Sequence, residues 1–254
     1  WVAMLGAVIA GMLAGLVTGF FHTVCGIPAI LSGILTQLGL WSVNLAVMDM
    51  RANQALNVDK FSLLLSLRYM QEVEAGKRPF YQHPIFVVVV ATAVIVGLLY
   101  WFFGTEMGCG IRATGANLNM SRAQGINTNF NKVLGLMLSN GLVAFSGAFL
   151  AQYQGFADVN MGRGAIVIGL AAVIIGEALF SKIFKNFALK LLSVVLGSVI
   201  YYIVITGVIT AGFDANLLKL LSALIVAVFL AIPFWKGKVV KPNVLVKKGG
   251  KTDA

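Results

Sequence analysis

The sequence predicts an all-α fold: a polytopic helical membrane protein with a cytoplasmic C-terminus. Of its 254 residues, 59% are hydrophobic and only 11% are charged, whereas roughly 25% of the residues in a soluble domain are charged. Its apolar runs have the length, about 17–25 residues, that an α-helix needs to cross the hydrocarbon core. They do not alternate apolar and polar residues as barrel strands do. We therefore predict a bundle of transmembrane helices.

Seven apolar runs are candidate spans, and the fifth is short enough to be a tilted or broken one. We place them at approximately 1–21, 28–48, 84–103, 133–152, 165–180, 189–210 and 217–235. They predict a single transmembrane domain at 1–235, followed by a basic tail at 236–254. The chain opens on Trp1 inside an apolar run, so we expect either a longer protein upstream or a removed segment.

Basic residues are concentrated in three segments between, at the ends of or after the predicted spans, and the first of these segments is the predicted loop at 104–132. The positive-inside rule assigns Lys- and Arg-rich loops to the cytoplasm, so all three segments are predicted to be cytoplasmic. The loops at 154–164 and 211–216 carry few charges and fall on the opposite face, as span counting requires. The basic residues are Arg112, Arg122 and Lys132 in the first segment, Lys182, Lys185 and Lys190 in the second, and Lys236, Lys238, Lys241, Lys247, Lys248 and Lys251 in the third.

Span counting also makes the long segment at 49–83 extracytoplasmic. Its charges are balanced rather than basic. The stretch "FSLLLSLRYMQEV", Phe61–Val73, has the apolar spacing of a short amphipathic helix. We expect that helix either to lie on the outer membrane surface or to contact an external partner.

Small residues on the first span predict close helix packing. Gly11, Gly15 and Gly19 form two successive Gly-x-x-x-Gly steps on one face, a geometry that lets helix backbones approach closely. This face is predicted to serve either packing inside the protein or a subunit interface.

Three residues are candidates for a translocation pathway: His22, Pro28 and Glu177. In "FHTVCGIPAILSG", Gly26 and Pro28 interrupt the helical pattern, which indicates either a cytoplasmic turn or a broken helix lining a water-filled path. His22 is then either an interfacial hydrogen-bonding residue or a neighbour of that path. Glu177 is the one acidic residue in a predicted span, and it lies either at an inner mouth or at the cytosolic interface.

The sequence carries no recognisable catalytic chemistry. Cys25 and Cys109 are far apart in sequence and indicate neither a disulfide framework nor a metal site. The chain has no His-Glu-x-x-His motif and no Gly-x-Ser-x-Gly motif. We therefore predict no catalytic residue, no cofactor, no bound metal and no nucleic-acid partner. Energy for uphill transport would have to come from a partner.

The polar stretch "GIRATGANLNMSRAQGIN" at 110–127 separates two apolar runs. The spacing of Gly110 and Gly115 matches half of a phosphate-binding loop, but Ala116 and Asn117 stand where Lys and Ser/Thr are required. The stretch is therefore not a nucleotide site.

A short helix is predicted within this stretch, over Leu118–Gln124. Asn117 can cap its start, and Gly125 can end it in a left-handed conformation. With Arg112 and Arg122 beside it, such a helix is suited to contact a soluble protein. The alternative is a solvated basic loop.

The residues from 104 to 180 resemble a known family, and those at 1–48 do so more loosely. The 110–127 stretch, the span "KVLGLMLSNGLVAFSGAFLAQYQG" and the helix "MGRGAIVIGLAAVIIGEALF" are similar to the permease subunit of bacterial ABC importers, in the group that serves branched-chain amino acids, ribose-type sugars and nucleosides. The motifs "GAN" and "IIGEALF" most resemble those of a branch of this family associated with aromatic or other hydrophobic amino acids. The family's Arg-Ala-x-Gly-x-Asn and following Gly-Ile are matched by Arg112, Ala113, Gly115, Asn117, Gly125 and Ile126.

This resemblance implies a multi-pass permease in a bacterial cell membrane that imports a small solute, an amino acid ahead of a sugar or nucleoside. Relatives have about eight to ten spans. Two permease copies, expected to be a homodimer, would form the pathway in the bilayer. Two cytoplasmic ATPase subunits would bind ATP, and an extracytoplasmic binding protein would deliver substrate.

The resemblance also places the family's coupling helix, which contacts the ATPase, at Asn117–Gly125. The alternatives from other classes are a structural membrane protein without transport activity and an intramembrane enzyme. The residues assigned to ATPase coupling are Arg112, Gly115, Asn117, Met120, Ser121, Arg122 and Gly125.

Overall fold

The chain is predominantly helical. The computed structural model describes residues 2–56, 63–66, 69, 72–73, 83–162, 165–180, 184, 186–210, 220 and 227. They fall into one compact unit at 1–163 and another at 164–254. The helices within these residues are α1 (Val2–Thr23), α2 (Ala29–Val47), α3 (Pro84–Phe103), α4 (Glu106–Ala116), α5 (Leu118–Ala123), α6 (Thr128–Gln154), α7 (Ala165–Phe180) and α8 (Phe187–Thr210), and the strands are β1 (Asn53–Ala55) and β2 (Phe156–Asp158).

Five of these helices are long and apolar enough to cross a membrane: α1, α2, α3, α6 and α8. α7 has 16 residues and coincides with the short fifth span expected from the sequence. The predicted all-α, polytopic membrane fold is confirmed. The predicted span at 217–235 and the basic tail at 236–254 lie outside the described residues, so the total of seven spans and the cytoplasmic C-terminus stay predictions.

α1 and α6 pack against each other through the glycines of α1. A Cβ on Gly11 would lie 2.5 Å from Cβ of Ala144, and a Cβ on Gly19 would lie 3.0 Å from Val133. Gly15, between them, is buried as well. The contacting residues have decreasing numbers on α6 as the numbers increase on α1, so the two helices run antiparallel. The glycine face therefore serves packing inside the protein, which was one of its two predicted roles.

A turn, and not a broken helix, joins α1 to α2. α1 ends at Thr23, Gly26 has a φ of +69°, and Pro28 precedes the first turn of α2. The positive φ suits glycine because it has no Cβ. Above the turn, Thr18 Oγ1 donates a hydrogen bond to Thr36 Oγ1 over 2.9 Å, and both side chains are buried. This bond joins the two helices where few other polar groups are available.

A two-stranded antiparallel sheet connects the segment after α2 to the segment after α6. β1 pairs with β2 so that Asn53 lies opposite Asp158, and Leu56 N donates to the carbonyl of Gly155 over 2.8 Å. Leu64 N also donates to Oε1 of Gln152 on α6 over 3.1 Å. The sequence did not predict these strands, because each has three residues and no apolar alternation.

The amphipathic helix predicted over Phe61–Val73 is wrong in its first half. Residues 63–66 are not helical, and Leu65 and Ser66 are buried. Tyr69, Glu72 and Val73 are helical, and the rest of the stretch lies outside the described residues. Leu64 N donates to the side chain of Gln152 on α6, so a tertiary contact and not a helical turn fixes the backbone here.

The second unit is built on α7 and α8. Gly197 on α8 lies against the carbonyl oxygen of Ala172, and Gly176 on α7 lies against that of Ser193. Neither position has room for a Cβ, so the two backbones approach closely, as small residues allow in membrane helices. The buried apolar cluster of this unit is Ala171, Ile175 and Tyr201.

Candidate functional site

The segment predicted as a cytoplasmic loop, 104–132, is largely helical. Besides the predicted short helix it contains α4, which begins after Thr105, whose Oγ1 accepts a hydrogen bond from Gly108 N over 3.3 Å. The sequence analysis did not predict α4, which Thr105 caps and whose first-turn dipole Glu106 complements. Gly110 and Gly115 are both helical.

α5 has the caps that the sequence predicted. Oδ1 of Asn117 accepts a hydrogen bond from Met120 N over 3.0 Å at its start. At its end Gly125 has a φ of +79°, and Ile126 N donates to the carbonyl of Ser121 over 3.0 Å. This is the Schellman arrangement that closes many helices. The helix ends at Ala123, one residue before the predicted end.

α5 is tied to the first turn of α6. Nε of Arg122 donates a hydrogen bond to Oγ1 of Thr128 over 3.0 Å, and Thr128 is 3% exposed. Asn127 caps α6 by accepting a hydrogen bond from Phe130 N over 3.1 Å. The start of α6 is therefore fixed by its own cap and by a side chain of α5.

α4 is tied to α6 by a second polar contact, which the sequence did not reveal. Nδ2 of Asn131 on α6 donates to Oγ1 of Thr114 on α4 over 3.2 Å, and both side chains are buried. Polar residues on both sides of a predicted loop were visible in the sequence. Their pairing was not, because nothing in the sequence showed that the loop folds back as α4.

The residues assigned to coupling lie on or beside two consecutive helices, α4 and α5, and their side chains differ in exposure. Ser121 is buried and donates to the carbonyl of Asn117 over 2.9 Å, so it holds α5 internally. The side chain of Met120 is 57% exposed, and that of Phe130 nearby on α6 is 55% exposed. The other predicted members are all exposed: Arg112 and Gly115 on α4, and Asn117, Arg122 and Gly125 at α5.

The structure separates the two ends of the first unit. Because α1 and α6 are antiparallel, the turn at 24–28 lies at the same end as α5. The β1–β2 sheet follows α2 and α6 and so lies at the opposite end. This agrees with the charge pattern, which assigns 104–132 to one side of the membrane and both 49–83 and 154–164 to the other.

Two of the three predicted pathway residues, His22 and Pro28, lie at the α1–α2 turn, and the third, Glu177, lies in the second unit. Nδ1 of His22 lies 2.9 Å from the carbonyl oxygen of Ile27, so this side chain hydrogen-bonds within the α1–α2 turn. Pro28 is exposed at the start of α2. Glu177 is exposed on α7, in the other unit.

An apolar groove of about 820 Å³ lies between α3 and the α1–α6 pair. Its walls include Met12 on α1, Phe86 and Trp101 on α3, and Phe145 and Phe149 on α6. None of the three predicted pathway residues lines it. Among the described residues no group of three or more His, Cys, Asp or Glu side chains could hold a metal ion.

Comparisons with known proteins give one family. The family model "Branched-chain amino acid transport system / permease component" matches residues 1–233. The tyrosine transport system permease protein of Clostridioides difficile is 37% identical over 230 residues, which are 91% of this chain and 72% of that protein. No solved structure gives a significant match.

More distant relatives have the same kind of role with other solutes. The autoinducer 2 import system permease protein LsrC of Salmonella typhimurium is 27% identical over 67% of this chain and 46% of its own length. The galactofuranose transporter permease protein YtfT of Escherichia coli is 31% identical over 56% of this chain and 42% of its own. These proteins are transporter permeases and not enzymes. The chain is therefore a multi-pass bacterial membrane protein that belongs to the permease family of the branched-chain amino acid type of ABC importer.

Proposed function

We propose that this chain forms the translocation pathway of an ATP-driven amino acid importer and that α5 is its coupling helix. The observation that carries the coupling assignment is the form of α5. It is short, capped at both ends, joined by Arg122 to Thr128, and exposed through Met120. A rigid exposed helix can transmit a displacement, whereas a solvated loop would absorb it.

Amino acid import is favoured by the relative named for tyrosine transport, which covers most of the chain. The groove beside α3 supports a substrate with a hydrophobic side chain, because Phe and Trp side chains line the groove. The second candidate is import of a sugar, favoured by the relative named for galactofuranose. In either case the partners are two cytoplasmic ATPase subunits, a second permease copy and an extracytoplasmic binding protein.

ATPase capture tests the coupling assignment. The tagged permease is co-expressed with candidate Walker-motif ATPases from the same genome, extracted in mild detergent and purified on the tag. Arg122→Glu should lower the captured ATPase at least tenfold, because it removes the bond to Thr128 and reverses a charge on the exposed helix. Arg51→Glu is the matched control, since Arg51 is exposed at the opposite end of the unit. Equal capture by both variants would remove the assignment.

Uptake tests the substrate class. Proteoliposomes that contain the permease, its ATPase and the binding protein are loaded with ATP and given L-tyrosine, L-leucine, ribose or adenosine. We expect ATP-dependent accumulation of an amino acid and not of ribose or adenosine. Accumulation of ribose alone would establish the second candidate in place of the first.

A further inference from the structure

Thr114 and Asn131 form a polar contact between two helices at a position closed to solvent. Each is 7% exposed. Asn131 Nδ2 donates to Thr114 Oγ1 over 3.2 Å, and that hydroxyl donates to the carbonyl of Gly110 over 2.8 Å. A buried polar group that loses its partner suffers the full cost of desolvation. The contact therefore favours one relative position of α4 and α6.

The surrounding packing leaves little room for another position. A Cβ on Gly110 would lie 3.0 Å from Nδ2 of Asn131, and one on Gly135 would lie 3.6 Å from Cγ2 of Ile111. The two helices are therefore in contact at the hydrogen bond and beside it. Sliding α4 along α6 would break the bond and disturb this packing.

α5 is connected to α4 by Asn117 alone, which has an extended backbone with φ −154° and ψ 107°. A single extended residue is a point about which α5 could swing without moving α4. On its other side α5 is joined to α6 by the Arg122–Thr128 bond. A force on α5 thus reaches α6 directly, and it reaches α4 through the hydrogen bond of Thr114 with Asn131 and the packing beside that bond.

We propose that Thr114 and Asn131 are positioning residues that make α4 and α6 move as one body when the ATPase displaces α5. This inference rests on the proposed function, because it assumes that an ATPase acts on α5. α6 is packed on α1 through the glycine face, and α4 follows α3 after two residues. The pair therefore lets one displaced helix move spans on two sides of the groove together.

The test uses the whole reconstituted complex and two measurements. The first is L-tyrosine imported per ATP hydrolysed. The second is the distance between spin labels on native Cys109 of α4 and on an introduced cysteine, Ser146→Cys, of α6, with Cys25→Ser present. Cys109 is next to Gly110, which lies against Asn131, and Ser146 is fifteen residues beyond Asn131. The two labels are therefore about 22 Å apart along the helix axis, a distance suited to pulsed electron paramagnetic resonance. Distances are compared in nucleotide-free and vanadate-trapped complexes.

We expect the label distance in the parent protein to be the same in both nucleotide states. Thr114→Val removes the hydroxyl at nearly constant volume. In this variant the distribution of label distances should therefore shift or broaden when the complex is trapped with vanadate. The variant should also lower import per ATP at least fivefold while ATPase capture is kept. Thr114→Ser, which retains a hydroxyl, should keep the label distance and the import per ATP at the values of the parent protein. Thr18→Val removes a buried interhelical hydroxyl elsewhere and should change neither.

Other results overturn the proposal. The proposal is wrong if Thr114→Val leaves both the label distance and the import per ATP unchanged. It is also wrong if Thr114→Ser changes these two values as much as Thr114→Val does. Asn131→Leu removes the donor and is measured in the same way. If both Thr114→Val and Asn131→Leu fail to assemble while Thr18→Val assembles, the contact serves folding only and the proposal is wrong. If the parent captures ATPase but imports no tyrosine, the substrate assignment fails, and the distance measurement still decides this inference.

Discussion

Gly15 of α1 lies directly against the backbone of Leu136 on α6, so close that a Cβ on Gly15 would overlap the carbonyl oxygen of Leu136. This contact lies between those of Gly11 and Gly19 on the antiparallel helices α1 and α6. In lipid there is little hydrophobic gain from helix association, so such close packing is a main source of its stability.

Gly15→Ala should destabilise the first unit by about 1–3 kcal/mol, the usual cost of overpacking a closely packed site. Gly6→Ala is the matched control, because Gly6 lies on the same helix and a Cβ there meets nothing within 4 Å. The measurement is the thermal melting temperature of the purified permease in detergent. Equal melting temperatures for the two variants would contradict the packing described here.

Gly125→Ala should weaken the end of α5, because its φ of +79° costs an L-residue with a Cβ about 1–2 kcal/mol. We expect reduced ATPase capture, with Gly125→Asn closer to the parent since Asn tolerates the left-handed region. Gly97→Ala is the control, because Gly97 lies on α3, outside the residues assigned to coupling, and a Cβ there meets nothing within 4 Å. Equal capture by Gly97→Ala and Gly125→Ala would show that backbone conformation at 125 is not what matters.

Asn117→Ala should lower ATPase capture by removing the cap of α5. Loss of an N-cap costs about 1 kcal/mol, a large share for a helix this short, since isolated short helices are marginal. Asn117→Asp keeps an acceptor for Met120 N and should retain capture. Similar losses in both variants would indicate that the amide itself contacts the partner and that capping is secondary.

The β1–β2 register predicts a specific disulfide. Ala55 lies opposite Phe156, at a non-hydrogen-bonded position where Cα atoms are about 4.5 Å apart, within the range a disulfide spans. With both native cysteines changed to Ser, Ala55→Cys with Phe156→Cys should cross-link on mild oxidation. Ala55→Cys with Asp158→Cys is offset by two residues and should not.

The same cross-link tests the sidedness predicted from charge. In intact cells a membrane-impermeant reductant added outside should reduce it, since 49–83 and 154–164 are predicted to be extracytoplasmic. Reduction only after the cells are opened would reverse the assigned orientation of the chain.

Local chemistry made α5 predictable from the sequence. Asn117 and Gly125 act through backbone groups a few residues away, so their roles can be deduced without knowledge of the fold. The glycine face of α1 was predictable for a similar reason, because the regular spacing of small residues is itself the signal.

The tertiary partners were not predictable in this way. Thr114 and Asn131 are 17 residues apart, and only the fold-back of α4 on α6 brings them together. β1 and β2 lacked even a local signal, because each has three residues and owes its conformation to its partner. The sequence therefore predicted α5 and its caps, but not the contact that joins α4 to the span α6.

The β1–β2 sheet has a consequence for how the protein is made. Leu56 and Gly155, which it joins, are separated by about a hundred residues, so closing this loop brings a large entropic cost that nearby contacts do not share. A ribosome adds about 5–20 residues per second, so β1 emerges at least several seconds before β2. During that interval β1 has no strand partner, and the end of the first unit that carries the sheet is completed only once α6 has been synthesised.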